Sequence, residues 1–219
     1  EIAGLDGVVC SYISSLGISK LDYVVGTHPH ADHIGGLDNV IKAFDIGKIY
    51  MPKIIHTSQT YEDVLNAIAD KGLKVTGAKA GVKILDDSGI TAELIGPVKE
   101  YDDLNNSSAV IAVSYAGRRL LFTGDAEAEA EADILAAGYD VSCDVLKSGH
   151  HGSSTSSSDA FLSAASPKYA VICVGEGNTY GHPHDATLNR YSSMNIEIYR
   201  TDINGTVILS ITGNGNIAF

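Results

Sequence analysis

No stretch of this chain reaches the ~18–20 consecutive apolar residues that a membrane-crossing helix needs, so no transmembrane segment is expected. No signal peptide is visible either. The first residue is Glu1 rather than Met, and removal of an upstream segment is the expected reason. Cysteine is scarce: Cys10, Cys143 and Cys173 stand apart and are odd in number. That excludes a disulfide framework and a Cys-rich zinc site, and the three read as small buried hydrophobes. Positive charge is short as well. The 15 Lys+Arg face 27 Asp+Glu, for a formal charge of −12. Such a surface repels nucleic-acid phosphates, and no Lys/Arg stripe interrupts it. Tight binding of long DNA is therefore not expected. Internal repeats and linkers are missing too. The 219 residues, 44% of them apolar, suffice for one sizeable core and a single domain over 1–219.

What is present is a concentration of metal-type ligands. Thr27-His28-Pro29-His30-Ala31-Asp32-His33 puts three histidines and an aspartate within six residues. The apolar run 21–25 before it reads as a buried strand. Pro29 keeps the segment out of a helix. Leu37, Val40, Ile41 and Phe44, at 3.6-residue spacing, mark a helix after it. The ligands therefore sit on a loop between strand and helix, where a rigid scaffold commonly holds chemistry. His28 and His30, two apart, can converge on one cation, and Asp32 and His33 can turn to a second. Two cations ~3.5–4 Å apart would clamp the attacking and leaving oxygens of an ester.

Other elements follow from periodicity. Val8, Val9, Tyr12, Ile13 and Leu16 trace one helical face, with Asp6 as N-cap and Gly17 past the end. Residues 48–51 form a short strand stopped by Pro52, and Thr60-x-x-Asp63 resembles a capping box for a helix through Val64, Leu65 and Ile68 that ends near Gly72. Period-two runs at 73–76, 82–85, 91–95, 109–115 and 120–123 read as strands, with Arg118-Arg119 at a hairpin turn. Residues 126–137 form an acidic Ala-rich helix whose Glu127, Glu129, Glu131 and Asp133 read as a solvated face. Strands at 144–147, 169–174, 196–199, 207–211 and 217–219 and helices at 159–165 and 186–193 complete the chain, in two mixed blocks divided near residue 100. Asp125 ends a strand and can bind a metal, cap the next helix, or do both. His150 and His151 follow another strand, where neighbours point to opposite sides. One could ligate while the other meets substrate or a carboxylate, and their roles stay open. His56 reads as an ordinary loop residue.

The loop 27–37, Leu121-Phe122-Thr123-Gly124-Asp125, LKSGHHGS at 146–153 and NTYGH at 178–182 occur in one order over most of the chain. In these the sequence resembles the metallo-β-lactamase superfamily, and within it the hydrolase domain of ComEC-type competence proteins and their free-standing relatives. The resemblance implies an αβ/βα four-layer sandwich of mixed α+β / α/β class, with two sheets face to face and helices outside. Family members begin with a two-stranded segment carrying an Asp-x-Gly-type motif. Here a helix starts within ten residues of the N-terminus, so the family's first strands are expected to be absent. The resemblance makes His28, His30, Asp32, His33, Asp125, His182 and one of His150 and His151 the ligands of two divalent cations, with Asp125 bridging them. Many members also have a histidine before the strand at 109–115, where this chain has Asn105-Asn106. His150 or His151 is the natural replacement.

The expected function is hydrolysis of phosphodiesters through a hydroxide bridging the metals. Asp32 would hold the hydroxide, and Tyr180, His184 or Lys147 would assist the leaving group. Amides of Gly152 and Ser153 would receive a phosphate oxygen. Nitrogen and oxygen ligands suit zinc first, then manganese or iron. The family points to DNA strands or small choline-phosphate-type esters, and the acidic charge favours the small esters. An extracellular or cell-surface place also follows from the resemblance. The alternatives are a lactonase, thioesterase or lactamase on the same fold, and a metal-binding domain without turnover.

Overall fold

In the computed structural model, which describes residues 6–219, the chain forms two compact units, one ending at Ala78 and one covering Lys79–Phe219. The boundary lies earlier than the division expected near residue 100. The strands just after it pair onward along the chain, so they belong to the second unit's sheet.

The first unit opens with α1 (Asp6–Ser15); the capping role expected of Asp6 lies outside the described side chains. Gly17 follows the helix at φ 74°, a left-handed value that glycine takes freely. The expected apolar face is corrected: Val8, Val9, Tyr12 and Leu16 are exposed, and Cys10 and Ile13 pack on the core. The chain continues through β1 (Lys20–Val25), α2 (Ala31–Ile34), α3 (Leu37–Ala43), β2 (Asp45–Met51), α4 (Gln59–Asp70) and β3 (Val75–Gly77). The sheet has the order β1-β2-β3 and is parallel throughout. Parallel neighbours need crossovers, which the helices supply. Val40, Ile41, Val64, Ala67 and Ile68 from α3 and α4 cover Val24, Ile46, Ile49 and Met51 of the sheet. The capping box expected at Thr60 is absent; Ser58 caps α4, accepting from the Tyr61 N–H at 3.3 Å.

The second unit begins with β4 (Val82–Asp87), β5 (Ile90–Gly96), β6 (Val110–Tyr115) and β7 (Arg118–Phe122), an antiparallel meander. Then come α5 (Ala128–Ala136), β8 (Val145–Lys147), α6 (Asp159–Ala165), β9 (Tyr169–Ile172), α7 (Asp185–Ser193) and β10 (Glu197–Arg200). β7, β8, β9 and β10 are parallel neighbours, so one seven-stranded sheet carries both patterns. A four-residue helix α8 (Thr201–Asn204) and the small pair β11 (Ser210–Ile211) and β12 (Ile217–Ala218) close the chain. Phe161, Leu162, Ile134 and Tyr191 pack against Leu121, Leu146, Ala170 and Ile172.

Three sequence expectations fail here. Arg118 and Arg119 lie within β7, after the turn at Ala116-Gly117, and reach Asp144 and Asp140 at 2.9 and 3.2 Å. Glu131 is buried rather than solvated, because the N–H groups of Ser157 and Ser158 donate to its carboxylate at 2.6 and 2.9 Å. Of the cysteines only Cys143 is buried, and burial pushes its thiol up to about 12; Cys173 is exposed.

Candidate metal centre

In the first unit the ligand loop leaves the carboxyl end of β1. His28 is fully buried, and its Nε2 lies 3.0 Å from His30 Nδ1, so the two ring nitrogens converge. Thr27 Oγ1 stands 3.3 Å from Nδ1 of both His28 and His33. The continuous loop expected here contains α2, which the short apolar pattern does not announce. The His33 and Ile34 N–H groups donate to His30 O, and buried Ile34 fixes that single turn in the core. The turn sets His33 Nε2 3.6 Å from Asp32 Oδ2. His28 with His30, and Asp32 with His33, thus form two adjacent donor pairs.

In the second unit Asp125, the His150-His151 pair and His182 follow β7, β8 and β9, three neighbouring parallel strands. Ligands commonly collect beyond the carboxyl ends of such strands. Asp125 is 1% exposed, and its N–H donates to Ser108 Oγ at 3.0 Å. It does not cap α5. Asn106 Oδ1 does so from a distance, accepting from the N–H groups of Glu127 and Ala130 at 3.1 and 3.2 Å.

His150 and His151 do not point to opposite sides. A 3-10 turn over Gly149–Gly152 replaces the extended strand end, and both histidines are left-handed, with φ 46° and 53°. Such a conformation costs a non-glycine residue ~1–2 kcal/mol. It brings both Nε2 atoms toward Asp125 Oδ2, at 3.9 Å from His150 and 3.5 Å from His151. Their Nδ1 atoms are engaged elsewhere: His151 Nδ1 donates to Cys173 O at 2.8 Å, and His150 Nδ1 to Glu127 Oε1 at 3.1 Å. With the proton on Nδ1, each Nε2 keeps a lone pair, the form a cation needs. Glu127 and the Cys173 carbonyl escaped the sequence reading. Glu127 was hidden among the acidic positions of an Ala-rich helix, and a backbone carbonyl has no sequence signal.

The Asn178 side chain closes a ring with the His182 backbone, donating to its carbonyl at 2.7 Å and accepting from its N–H at 3.0 Å. Its ring lies 5.4 Å from that of His150 and 6.3 Å from that of His151. Burial, then the neighbouring His150, His184 and His151, holds the His182 imidazole down at about 4, so it is neutral at pH 7. His184 Nδ1 accepts from the Ser154 N–H at 3.0 Å, which leaves its proton on Nε2. Exposed Tyr180 stacks on His182 at 5.8 Å. Lys147 Nζ reaches Gly124 O at 3.4 Å. The Ser153 amide expected to receive a phosphate oxygen donates instead to His150 O at 2.8 Å. His56 bonds Ser58 in the first unit, as a loop histidine would.

Gly152 joins two of these loops. Its φ is 83°, and a Cβ there would stand 2.5 Å from Pro183 Cβ, a rigid ring atom that cannot swing away. Gly152→Ala should therefore lose about 2 kcal/mol of stability, combining a disfavoured backbone with overpacking. Denaturant unfolding checks this, and a loss under half of that would show that the loop adjusts.

The donors are histidine nitrogens and carboxylate oxygens, with Asp32 and His33 in one unit and Asp125 and His151 in the other among the candidate metal-binding groups. Their chemistry fits divalent metals of the zinc, manganese or iron kind. Comparison with known proteins gives the family. The chain is 32% identical over 204 residues to ComE operon protein 3 of Bacillus subtilis (strain 168), covering 91% of this chain and 26% of that one. It is 33% identical over 218 residues to competence protein ComA of Neisseria gonorrhoeae, covering 98% and 28%. Recombination protein 2 of Haemophilus influenzae is 28% identical over 200 residues, covering 91% and 23%. These are ComEC-type competence proteins, and the chain spans about a quarter of their length. Among solved structures, a CmlA beta-hydroxylase E377D mutant superposes with a TM-score of 0.54 at 13% identity, covering 83% of this chain and 43% of that one, which shows a shared fold. The model of the metallo-beta-lactamase superfamily matches residues 9–176, so the chain belongs to that superfamily and carries its fold.

Proposed function

We propose that this chain is a dinuclear metal-dependent phosphodiesterase acting on small phosphoesters. The donors would be His28, His30, Asp32 and His33 of the first unit, and Asp125, His182 and the His150/His151 pair of the second. The observation that carries the reading is the Asp125 cluster. There two imidazoles, each with Nδ1 engaged, turn Nε2 toward one buried carboxylate. Bound divalent cations supply Lewis acidity and a water that ionises near neutral pH.

The chain's own groups would do the rest. Asp32 orients the attacking water. His184, with its proton on Nε2, would donate a hydrogen bond to the leaving oxygen, and exposed Tyr180 would pack against the organic group of the ester. An oxygen donor at Asp125 would suit phosphate-handling cations better than a thiolate would. The acidic charge favours small substrates: two divalent cations would raise the formal −12 only to −8. An extracellular or cell-surface place goes with the competence relatives and belongs to the same reading.

Metal-replete protein tested on bis(p-nitrophenyl) phosphate, a lactone, a lactam and short single-stranded DNA checks it. Turnover of the phosphodiester, two cations per chain by elemental analysis, and DNA cleavage that is slow and rises from low to moderate salt are expected. Long-range repulsion is screened over ~10 Å at 0.1 M salt. Preference for the lactone or lactam, or DNA binding that weakens steeply with salt, would overturn it.

A further inference from the structure

We infer that Glu127 is a positioning residue that holds His150 in the tautomer with the proton on Nδ1, so that Nε2 is presented to a cation beside Asp125. The inference deepens the metal-dependent reading above and rests on it.

Glu127 precedes α5 by one residue, with extended backbone at φ −98° and ψ 180°. It is only two residues beyond Asp125, so backbone and side chain serve neighbouring tasks. Its N–H donates to Asn106 Oδ1 at 3.1 Å, which fixes where the side chain starts. The carboxylate is then held from three directions. Thr155 Oγ1 donates to Oε1 at 2.9 Å, Asn105 Nδ2 donates to it at 3.3 Å, and His150 Nδ1 lies 3.1 Å away. The Thr155 carbonyl in turn accepts from the Ala128 N–H at 2.9 Å. Helix α5 and the loop after His151 therefore grip the carboxylate together.

An acceptor at Nδ1 selects which ring nitrogen carries the proton. Glu127 Oε1 receives N–H and O–H donors from Asn105 and Thr155, so it acts as an acceptor toward His150 as well. The ring is left with its lone pair on Nε2, 3.9 Å from Asp125 Oδ2. The left-handed backbone of His150 brings the ring into reach of both carboxylates, and Glu127 decides its orientation there. His151 gets the same service from the Cys173 carbonyl, which no side-chain substitution removes. The two histidines thus differ in how they can be perturbed. Asn105 and Asn106 also gain a role: together they seat the carboxylate that orients His150.

The test uses zinc-loaded protein and two readouts. One is the exchange-protected Nδ1 proton of His150, a downfield NMR resonance assigned by its absence in His150→Ala. The other is the rate and extent of zinc loss to a chromogenic chelator. Glu127→Ala should lose the resonance and weaken zinc retention about 10–100-fold, the range for removing such a partner. Glu127→Gln, which keeps an Oε1 acceptor, should retain the resonance and most of the affinity. Thr155→Val removes one support and should broaden the resonance, which keeps the inference testable should Glu127→Ala not fold. Zinc retention in Glu127→Ala equal to the parent, or equal losses in the Ala and Gln variants, would overturn it. If no variant, nor the parent, binds zinc or any other cation, the metal-dependent reading falls instead, and the resonance still reports on Glu127.

Discussion

Replacement of Asp125 by asparagine is expected to lower turnover roughly 10³-fold, the upper range for removing one preorganised electrostatic group. The substitution keeps shape, and the Asp125 N–H that donates to Ser108 Oγ is untouched. What changes is charge and donor pattern. A carboxylate with 1% exposure offers acceptors only; an amide would present an NH2 to one of the Nε2 atoms now 3.5 and 3.9 Å away. Were Asp125 shared by two cations, as proposed, the pair would then lose the negative charge that holds it close. The metal-free protein gains by the same change, because a buried charge is costly to desolvate. Activity and metal content should therefore fall while the unfolding midpoint of metal-free protein holds or rises. Near-normal turnover with full metal content would refute the bridging role.

The second large effect is on stability. Glu131→Ala should cost about 3–5 kcal/mol, since each buried donor left without its acceptor costs ~1–3 kcal/mol and the void adds to that. The Glu131 carboxylate takes the Ser157 and Ser158 N–H groups at the start of α6. Arg190 holds the same loop by donating to Ser157 O at 2.9 Å and Ser154 O at 3.0 Å. Burial pushes the Glu131 carboxyl above the usual carboxylate range, only partly offset by those amides and by Arg190. The sign follows. A carboxyl that titrates higher folded than unfolded holds its proton longer in the native state. Its contribution is therefore most favourable below the ordinary glutamate value and declines as pH rises through the window just above it. Glu131→Gln, which cannot titrate, should flatten that part of the stability profile. Denaturant melts between pH 4 and 7 measure both effects, and a loss below about 1 kcal/mol in Glu131→Ala would show that water replaces the carboxylate.

Much of the framework was legible because apolar period fixes which face is covered. Val40, Ile41 and Phe44 read as one helix face, and they lie in the first unit's core. Residues 91–95 and 109–115 read as strands and pair as β5 and β6. The failures share a cause: burial decided by a partner far along the chain. Glu131 and Glu129 look alike on an acidic helix, yet Glu131 meets the Ser157 and Ser158 amides and Glu129 meets Lys99 at the surface. Val8 and Val9 had the right spacing for a core, but no element packs over them among the described residues. At the site, residue types announced the donors. Their orientation was not legible: strand alternation predicts opposite sides for His150 and His151, and the left-handed turn cancels it. Glu127, which meets His150 across 23 positions, had no local signal.

The change of direction within the seven-stranded sheet bears on the order in which the chain acquires its parts. β4 to β7 are successive antiparallel neighbours joined along the chain, so their pairings close early and at small entropic cost. β8, β9 and β10 join in parallel only after α5, α6 and α7 have crossed the sheet. Asp125, the His150-His151 pair and His182 each lie in one of those crossings. During synthesis from the N-terminus the meander can be complete while the donors are still unassembled. A chain released before β9 docks would keep a folded half and lack the assembled set of proposed donors in this unit, so ion capture would report that β9 has docked.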